Sequence, residues 1–226
     1  MTAVPATSAT RRLLLVVTLL TSLGITAAQS DDRATVQRAA AALDGSSFHF
    51  EYSFWPAAEA LSPTTGAGTA DLGAHRWDYT LRTDPDDPTA ERHADGRWII
   101  IDTAWYHDGG DGWTQDAIDF TYAGVAAVIQ PFASYAQIEL LAGGDPDALQ
   151  PLRSLGEAVV DGLPATGYAF ATRGSPFFGS TDFEAWLSEG PNGYQRIVLI
   201  VTPVDGQPNR VTFTRIGEPV VIEAPL

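Results

Sequence analysis

The sequence predicts a mostly antiparallel α+β fold: a curved, unclosed half-barrel sheet whose concave face is covered by an N-terminal helix and a helical insert. Aromatic residues alternate with polar ones from Phe48 to Phe54, which places the aromatic side chains on one face of a strand. The strand patterns that follow are joined by turns too short for parallel crossovers. Two stretches have helical periodicity instead. Helices can supply the cover that an apolar sheet face needs.

The N-terminus is typical of an export signal. Arg11 and Arg12 precede an apolar stretch, and Thr26-Ala27-Ala28 supplies small residues for cleavage. We therefore expect a signal peptide over residues 1–28, a single half-barrel domain over residues 29–226, and a secreted or cell-envelope location. Retention of the N-terminal segment as a membrane anchor is the alternative.

The composition excludes some classes of partner. The 226 residues include 13 basic residues, all of them arginine, and 28 acidic residues, for a formal net charge of −15. This charge repels nucleic-acid phosphates and anionic membrane surfaces. We expect no nucleic-acid partner, and membrane association only transiently or through an uncleaved N-terminal segment. The chain has no cysteine, so it forms no disulfide and cannot carry a lipid on that residue.

The first half of the domain is predicted as one helix followed by strands. Ser30 to Leu43 has an amphipathic helical pattern with acidic residues at its start, and Asp44-Gly45 ends it. Asp108 to Gly112 is a strong hairpin signal, after which Trp113 begins the return strand. The stretch 56–68, rich in Pro and Gly, is predicted to be a loop. Strands are predicted over residues 47–55, 69–72, 75–82, 96–103 and 104–107.

The second half is predicted as a helical insert followed by more strands. Apolar residues from Ala123 to Leu141 recur at helical spacing, although Pro131 should kink or split that helix. Gly and Pro mark the turns beyond it. Strands are predicted over residues 157–161, 167–172, 182–187, 195–202, 210–215 and 220–222.

Several short motifs occur in a characteristic order along the chain. They are Ser47–Tyr52, Gly112-Trp113, Val160–Pro164 leading to Gly167-Tyr168, Phe183–Leu187 followed by Tyr194–Arg196, and Ile216–Pro225. Their order resembles the LolA-like lipoprotein-carrier superfamily, especially its LppX/LprG-type lipid-carrier branch. The resemblance implies a half-barrel whose apolar concave face, plugged by helices, binds acyl chains or lipid anchors or acts as a sensor surface. Members of that branch are themselves lipoproteins, whereas this chain has no cysteine to acylate.

The aromatic face is the candidate ligand site, with the helical insert as its lid. The same side chains could instead form a filled core between sheet and helices, because each buried aromatic contributes about 2–3 kcal/mol to folding. Sequence does not separate these two interpretations. The predicted cavity-lining residues are Phe48, Phe50, Tyr52, Phe54, Trp77, Tyr79, Leu81, Trp98, Phe132, Tyr135, Ile138, Tyr168 and Phe170.

The sequence thus predicts an exported, non-enzymatic carrier of a hydrophobic small molecule, such as a lipid acyl chain or the anchor of an envelope lipoprotein. The alternative is an envelope sensor or protein-interaction module with a filled core and no ligand. We expect no catalytic residue, metal or cofactor, since Ser175 has no activating base nearby in sequence and Asp108 to Gly112 lacks EF-hand spacing. His75, His93 and His107 lie on separate elements and are expected at the surface.

Overall fold

The computed structural model describes residues 31–55, 63–86, 95–102, 104–116, 149–175 and 179–225. Within these ranges, residues 31–43 form a helix, α1, and eleven strands form one antiparallel sheet. The strands are β1 (Ser47–Phe54), β2 (Thr64–Asp71), β3 (Arg76–Arg82), β4 (Gly96–Ile101), β5 (Ala104–Asp108), β6 (Trp113–Asp116), β7 (Leu149–Val160), β8 (Leu163–Ser175), β9 (Gly179–Gly190), β10 (Gly193–Pro203) and β11 (Asn209–Thr214).

The sheet consists of two meanders that meet at its centre. The strand order is β6-β5-β4-β3-β2-β1-β11-β10-β9-β8-β7, so β1 to β6 run outward and β7 to β11 run back from the opposite edge. Strands β6 and β7 are the two edges of this sheet, which is therefore unclosed. The predicted half-barrel class and the N-terminal helix are confirmed. The predicted signal peptide (1–28) and helical insert (123–141) lie outside the described residues.

One face of the sheet carries the core, and we call it the inner face. On it Phe50 of β1 lies opposite Phe213 of β11 on one side and Gly68 of β2 on the other. Helix α1 packs there through four fully buried residues of its apolar stripe, as its periodicity predicts. These helical residues are Val36, Ala39, Ala40 and Leu43. The opposite, outer face begins with His49, Glu51 and Ser53 of β1.

The loop predicted over residues 56–68 is wrong from Thr64 onward, where β2 begins; residues 56–62 are outside the described part of the chain. The glycines that suggested a loop serve close packing on the inner face. A Cβ added to Gly66 would lie 2.5 Å from the hydroxyl oxygen of Tyr52, and one added to Gly68 would lie 2.5 Å from Cβ of Tyr79. Glycine in a strand often marks such a close approach.

The strand predicted over Val220 to Ile222 is also wrong. Both hydrogen-bonding edges of β11 are already paired, one with β1 and the other with β10. The backbone turns away from β11 at Gly217, whose N–H donates to the carbonyl oxygen of Ser47. The tail packs instead of pairing. Ile222 is buried, and its carbonyl oxygen accepts a hydrogen bond of 3.0 Å from Arg76 Nη1.

The remaining predicted strands are present, and the predicted turns at Gly162 and at Asp108 to Gly112 are confirmed. Pro164 and Gly174, predicted in turns, lie instead within β8. Between β7 and β8, Asp161 and Gly162 both have positive φ (48° and 79°), as a two-residue Asp-Gly turn requires. Between β5 and β6, Oδ1 of Asp108 accepts hydrogen bonds from the N–H groups of Gly110 and Gly112. Strand β7 begins at Leu149, well before the predicted residue 157, and its pairing with β8 contains two register shifts.

Replacing Gly68 with Ala should destabilise the fold, because the new Cβ would meet the backbone of β3 as well as Tyr79. We expect Gly68→Ala to lower the free energy of unfolding by about 1–3 kcal/mol, measured by urea denaturation. Ala67→Ser, at an exposed neighbouring position, is the control and should change it by less than about 0.5 kcal/mol. Equal stability of Gly68→Ala and wild type would contradict this account of β2.

Candidate functional site

The structure brings the described members of the predicted site together on the inner face. They come from four strands, β1, β3, β4 and β8, and their side chains share one hydrophobic cluster or pack against it. Phe132, Tyr135 and Ile138, the predicted lid residues, lie outside the described part of the chain. The residues placed on the inner face are Phe48, Phe50, Tyr52, Phe54, Trp77, Tyr79, Leu81, Trp98, Tyr168 and Phe170.

The centre of this surface is tightly packed. Phe48 is fully buried and meets Phe213 edge to face, with ring centroids 5.3 Å apart. Phe50 is 1% exposed and meets Trp77 at 6.0 Å in a similar geometry. Such edge-to-face pairs add about 0.5–1.5 kcal/mol beyond the burial of area. The middle of the inner face is therefore part of the hydrophobic core.

The rims of the inner face are less covered. Trp105 on β5 lies opposite Ile100, Phe54 ends β1, and Val201 on β10 lies opposite Phe183. All three are only partly buried, and all three pack against the core cluster. These three side chains therefore leave part of their apolar surface uncovered by the described residues.

Sequence reasoning missed several residues of this face, among them Trp105, Phe183 and Phe213. Each lies in a strand that was predicted, at the position that alternation assigns to the inner face. Phe183 stacks on Phe170 with ring centroids 4.7 Å apart and an interplanar angle of 1°. Applying the period of two to every predicted strand would have found all three.

At the β4–β5 end, the inner face carries a histidine. His107 stacks on Trp98, with ring centroids 4.0 Å apart. Its Nε2 lies 3.0 Å from the carbonyl oxygen of Asp95, which only accepts, so this nitrogen carries a proton and donates. The carboxylate of Asp95 in turn accepts from the N–H and the hydroxyl of Thr83, each at 2.9 Å. The expectation of a surface histidine is wrong for His107, which is half-buried.

Two tyrosines at the opposite end lie beside helix α1. The Tyr194 hydroxyl donates to the carbonyl oxygen of Thr35 at 3.3 Å, which ties α1 to β10. Burial is the main cause that raises the pKa of both Tyr168 and Tyr194. For Tyr194 the nearby Arg38 guanidinium acts in the opposite direction. The inner face is thus bounded by polar hydroxyls where the helix meets the sheet.

Tyr52 and Tyr79 place hydroxyls inside the aromatic surface itself. Burial raises the pKa of both phenols well above the ordinary value, and for Tyr52 the neighbouring Tyr79 and Asp95 raise it further. The Tyr52 hydroxyl reaches the carbonyl oxygen of Thr80 at 3.5 Å. Both groups remain neutral at physiological pH, so they offer hydrogen bonding without charge.

The described part of the inner face presents apolar rings and neutral hydroxyls. Nowhere in the described ranges do three His, Asp or Glu side chains converge as metal ligands would. In the same ranges, no helix has both the length and the apolar composition needed to cross a membrane. What the described inner face offers a ligand is aromatic and aliphatic surface with neutral hydroxyls.

The buried phenols predict alkaline instability. In the unfolded chain a tyrosine loses its proton near pH 10, while folded Tyr52 and Tyr79 keep theirs, so stability is unaffected below pH 10 and falls above it. Each such tyrosine should contribute about 1.4 kcal/mol per pH unit to the fall in the free energy of unfolding. Tyr79→Phe should reduce the slope by that amount in urea titrations, with Tyr106→Phe on the outer face as the matched control. An unchanged slope in Tyr79→Phe would contradict the prediction.

No protein-family model matches the sequence, and no curated protein matches it. Among solved structures, the lipoprotein LppX of Mycobacterium tuberculosis is similar, at 10% identity and a TM-score of 0.50, over 87% of this chain and 97% of LppX. LprF of Mycobacterium bovis is similar at 13% identity and a TM-score of 0.52, over 87% of this chain and 96% of LprF. The chain therefore shares the fold of LppX and LprF.

Proposed function

We propose that this protein is an exported, non-enzymatic carrier that binds a hydrophobic ligand, a lipid acyl chain or a lipoprotein anchor, against the inner face of its half-barrel. The observation that carries the proposal is the continuous aromatic inner face, whose rims at Trp105, Phe54 and Val201 are only partly buried. The fold shared with LppX, which is a lipoprotein, supports an envelope setting. The export signal expected over residues 1–28 supports it too.

Binding would be non-covalent and would depend on burial of hydrocarbon. Each methylene removed from water contributes about 0.8 kcal/mol, so ten of them contribute about 8 kcal/mol before ordering costs are subtracted. The hydroxyls of Tyr52 and Tyr79 are neutral, so an uncharged acyl chain bound beside them would not have to cover a buried charge.

A second function, that of an envelope sensor or protein-interaction module without a ligand, is favoured by a different observation. The central aromatic residues are already packed by the protein's own atoms: Phe48, Phe50 and Phe213 are at most 1% exposed. A core of that density needs no guest. The two functions differ in whether purified protein contains lipid.

The test is the lipid content of the protein purified after expression with its own leader. Organic extraction and native mass spectrometry should find a co-purified lipid, and a fluorescent fatty acid should bind to the delipidated protein. A lipid-free extract together with no fatty-acid binding would contradict the carrier function and favour the interaction module.

Trp105→Ala should weaken fatty-acid binding, because it removes a partly exposed aromatic contact while leaving the buried centre intact. We expect a loss of about 5- to 30-fold in affinity, corresponding to about 1–2 kcal/mol. Val221→Ala is the matched control, since Val221 is 83% exposed in the C-terminal tail and is not part of the cluster on the inner face. If Trp105→Ala and wild type bind the fatty acid equally, and circular dichroism shows that both proteins are folded, the proposed ligand contact at Trp105 is contradicted.

A further inference from the structure

A cavity lies on the outer face of the sheet, on the side opposite the aromatic inner face. Its volume is about 430 Å³, within the range of small-molecule sites. The floor comes from β1, β10 and β11, and the turn between β7 and β8 forms a wall. Residues that line it include Glu51, Asp161, Arg196, Arg210, Thr212 and Thr214. Because Glu51 alternates with Phe50 and Tyr52 along β1, this cavity opens on the opposite side of the sheet from the proposed lipid surface.

The wall is held in place by two arginines. Nη1 of Arg196, on β10, donates to the carbonyl oxygen of Asp161 at 3.0 Å. Nη2 of Arg210, on β11, donates to the Asp161 carboxylate, and Nη1 of Arg196 lies 3.8 Å from the same carboxylate oxygen. The end of the β7–β8 hairpin therefore curls over the outer face, and two guanidinium groups share one carboxylate.

Arg196 has a donor that this arrangement does not use. Its Nε–H is buried and has no hydrogen-bond partner. Buried polar groups nearly always have a partner, and a charged donor loses most when it has none. The side chain as a whole is 23% exposed and lines the cavity, so an acceptor placed there can contact the exposed part of the guanidinium group. Nε itself is buried, and an acceptor would reach it only after the side chain rotates.

We propose that this outer cavity binds an oxyanion of a small molecule, with Arg196 as the principal ligand and Arg210 as the second. Guanidinium groups present planar pairs of N–H donors that match the oxygens of phosphate and carboxylate groups. The hydroxyls of Thr212 and Thr214 line the same cavity and can donate further hydrogen bonds. A strongly acidic protein repels anions in general, so binding here would depend on local geometry rather than on net charge.

The charge of Glu51 makes a testable prediction about the direction in which anion affinity changes. The carboxylates of Glu51 and Asp161 both line the cavity and oppose a bound anion, while the two arginines favour it. Only the Asp161 carboxylate is paired with these arginines, so Glu51 can be neutralised without breaking those contacts. Removing the charge of Glu51 should therefore tighten binding, whereas altering Arg196 should weaken it. A merely structural role of these side chains would not produce opposite effects.

The experiment uses the full chain and two probes: inorganic phosphate, and dihexanoylphosphatidylglycerol, which carries the same group in a lipid headgroup. The readout is the side-chain Nε–H resonance of Arg196 in ¹⁵N NMR, assigned from its loss in Arg196→Lys, with affinities from calorimetry. Saturable shifts with phosphate would identify a site for free phosphate. Shifts with the lipid alone would identify a headgroup site, and this readout separates it from binding on the inner face.

We expect Arg196→Lys, which keeps the charge but loses the planar donor pair, to weaken binding by at least about tenfold. Glu51→Gln should tighten it about fivefold, as for a like charge about 4 Å away in solvent. Arg97→Lys is the matched control, because Arg97 pairs with Asp78 on the outer face and is outside this cavity. Neither probe shifting the Arg196 resonance, or equal affinities in wild type and Glu51→Gln, would overturn the proposal.

Discussion

The pairing of β1 with β11 is the constraint on which the rest of the structure depends. It joins strands from the two ends of the domain and so unites two meanders that are otherwise separate. Its inner side is sealed by Phe48 and Phe50 against Phe213, three side chains that are almost completely buried. Because the contact is so distant in sequence, it carries a large loop-closure cost, and the aromatic burial must offset that cost.

Because β1 lies at the centre of the sheet, beside β11, its two faces contact different environments. On the inner face the large rings need small partners, and β2 supplies Gly66, Gly68 and Ala70 beneath them. On the outer face the same strand presents Glu51 and Ser53 to a polar cavity bounded by arginines. One strand thus separates the proposed lipid surface from the proposed oxyanion site, and strict alternation of the backbone keeps the two chemistries apart.

The candidate site was predictable where alternation was strong and unpredictable where packing decided. The rings of β1 and β3 were correctly assigned to one face, because these strands alternate buried aromatic or aliphatic residues with more exposed ones. Trp98, Tyr168 and Phe170 were assigned to the same face, although β4 continues into three isoleucines without alternation. Gly66 and Gly68 were assigned to a loop, since a glycine-rich stretch has the same composition in a turn and in a strand beneath aromatic rings. Ile222 was assigned to a strand, although both edges of the preceding strand, β11, are already paired with β1 and β10. No local pattern contains that information.

By itself, the sequence determined the class of fold, the amphipathic first helix, the antiparallel connectivity and the aromatic stripe, because these follow from periodicities and turn residues within short segments. Only the tertiary structure decided that β11 lies beside β1, that Trp105 remains at a partly exposed rim, and that Arg196 and Arg210 meet Asp161 behind the sheet. These contacts join residues far apart in the chain, and they depend on how far the sheet curls. Curvature is a property of the whole sheet, set by the packing of all its strands together.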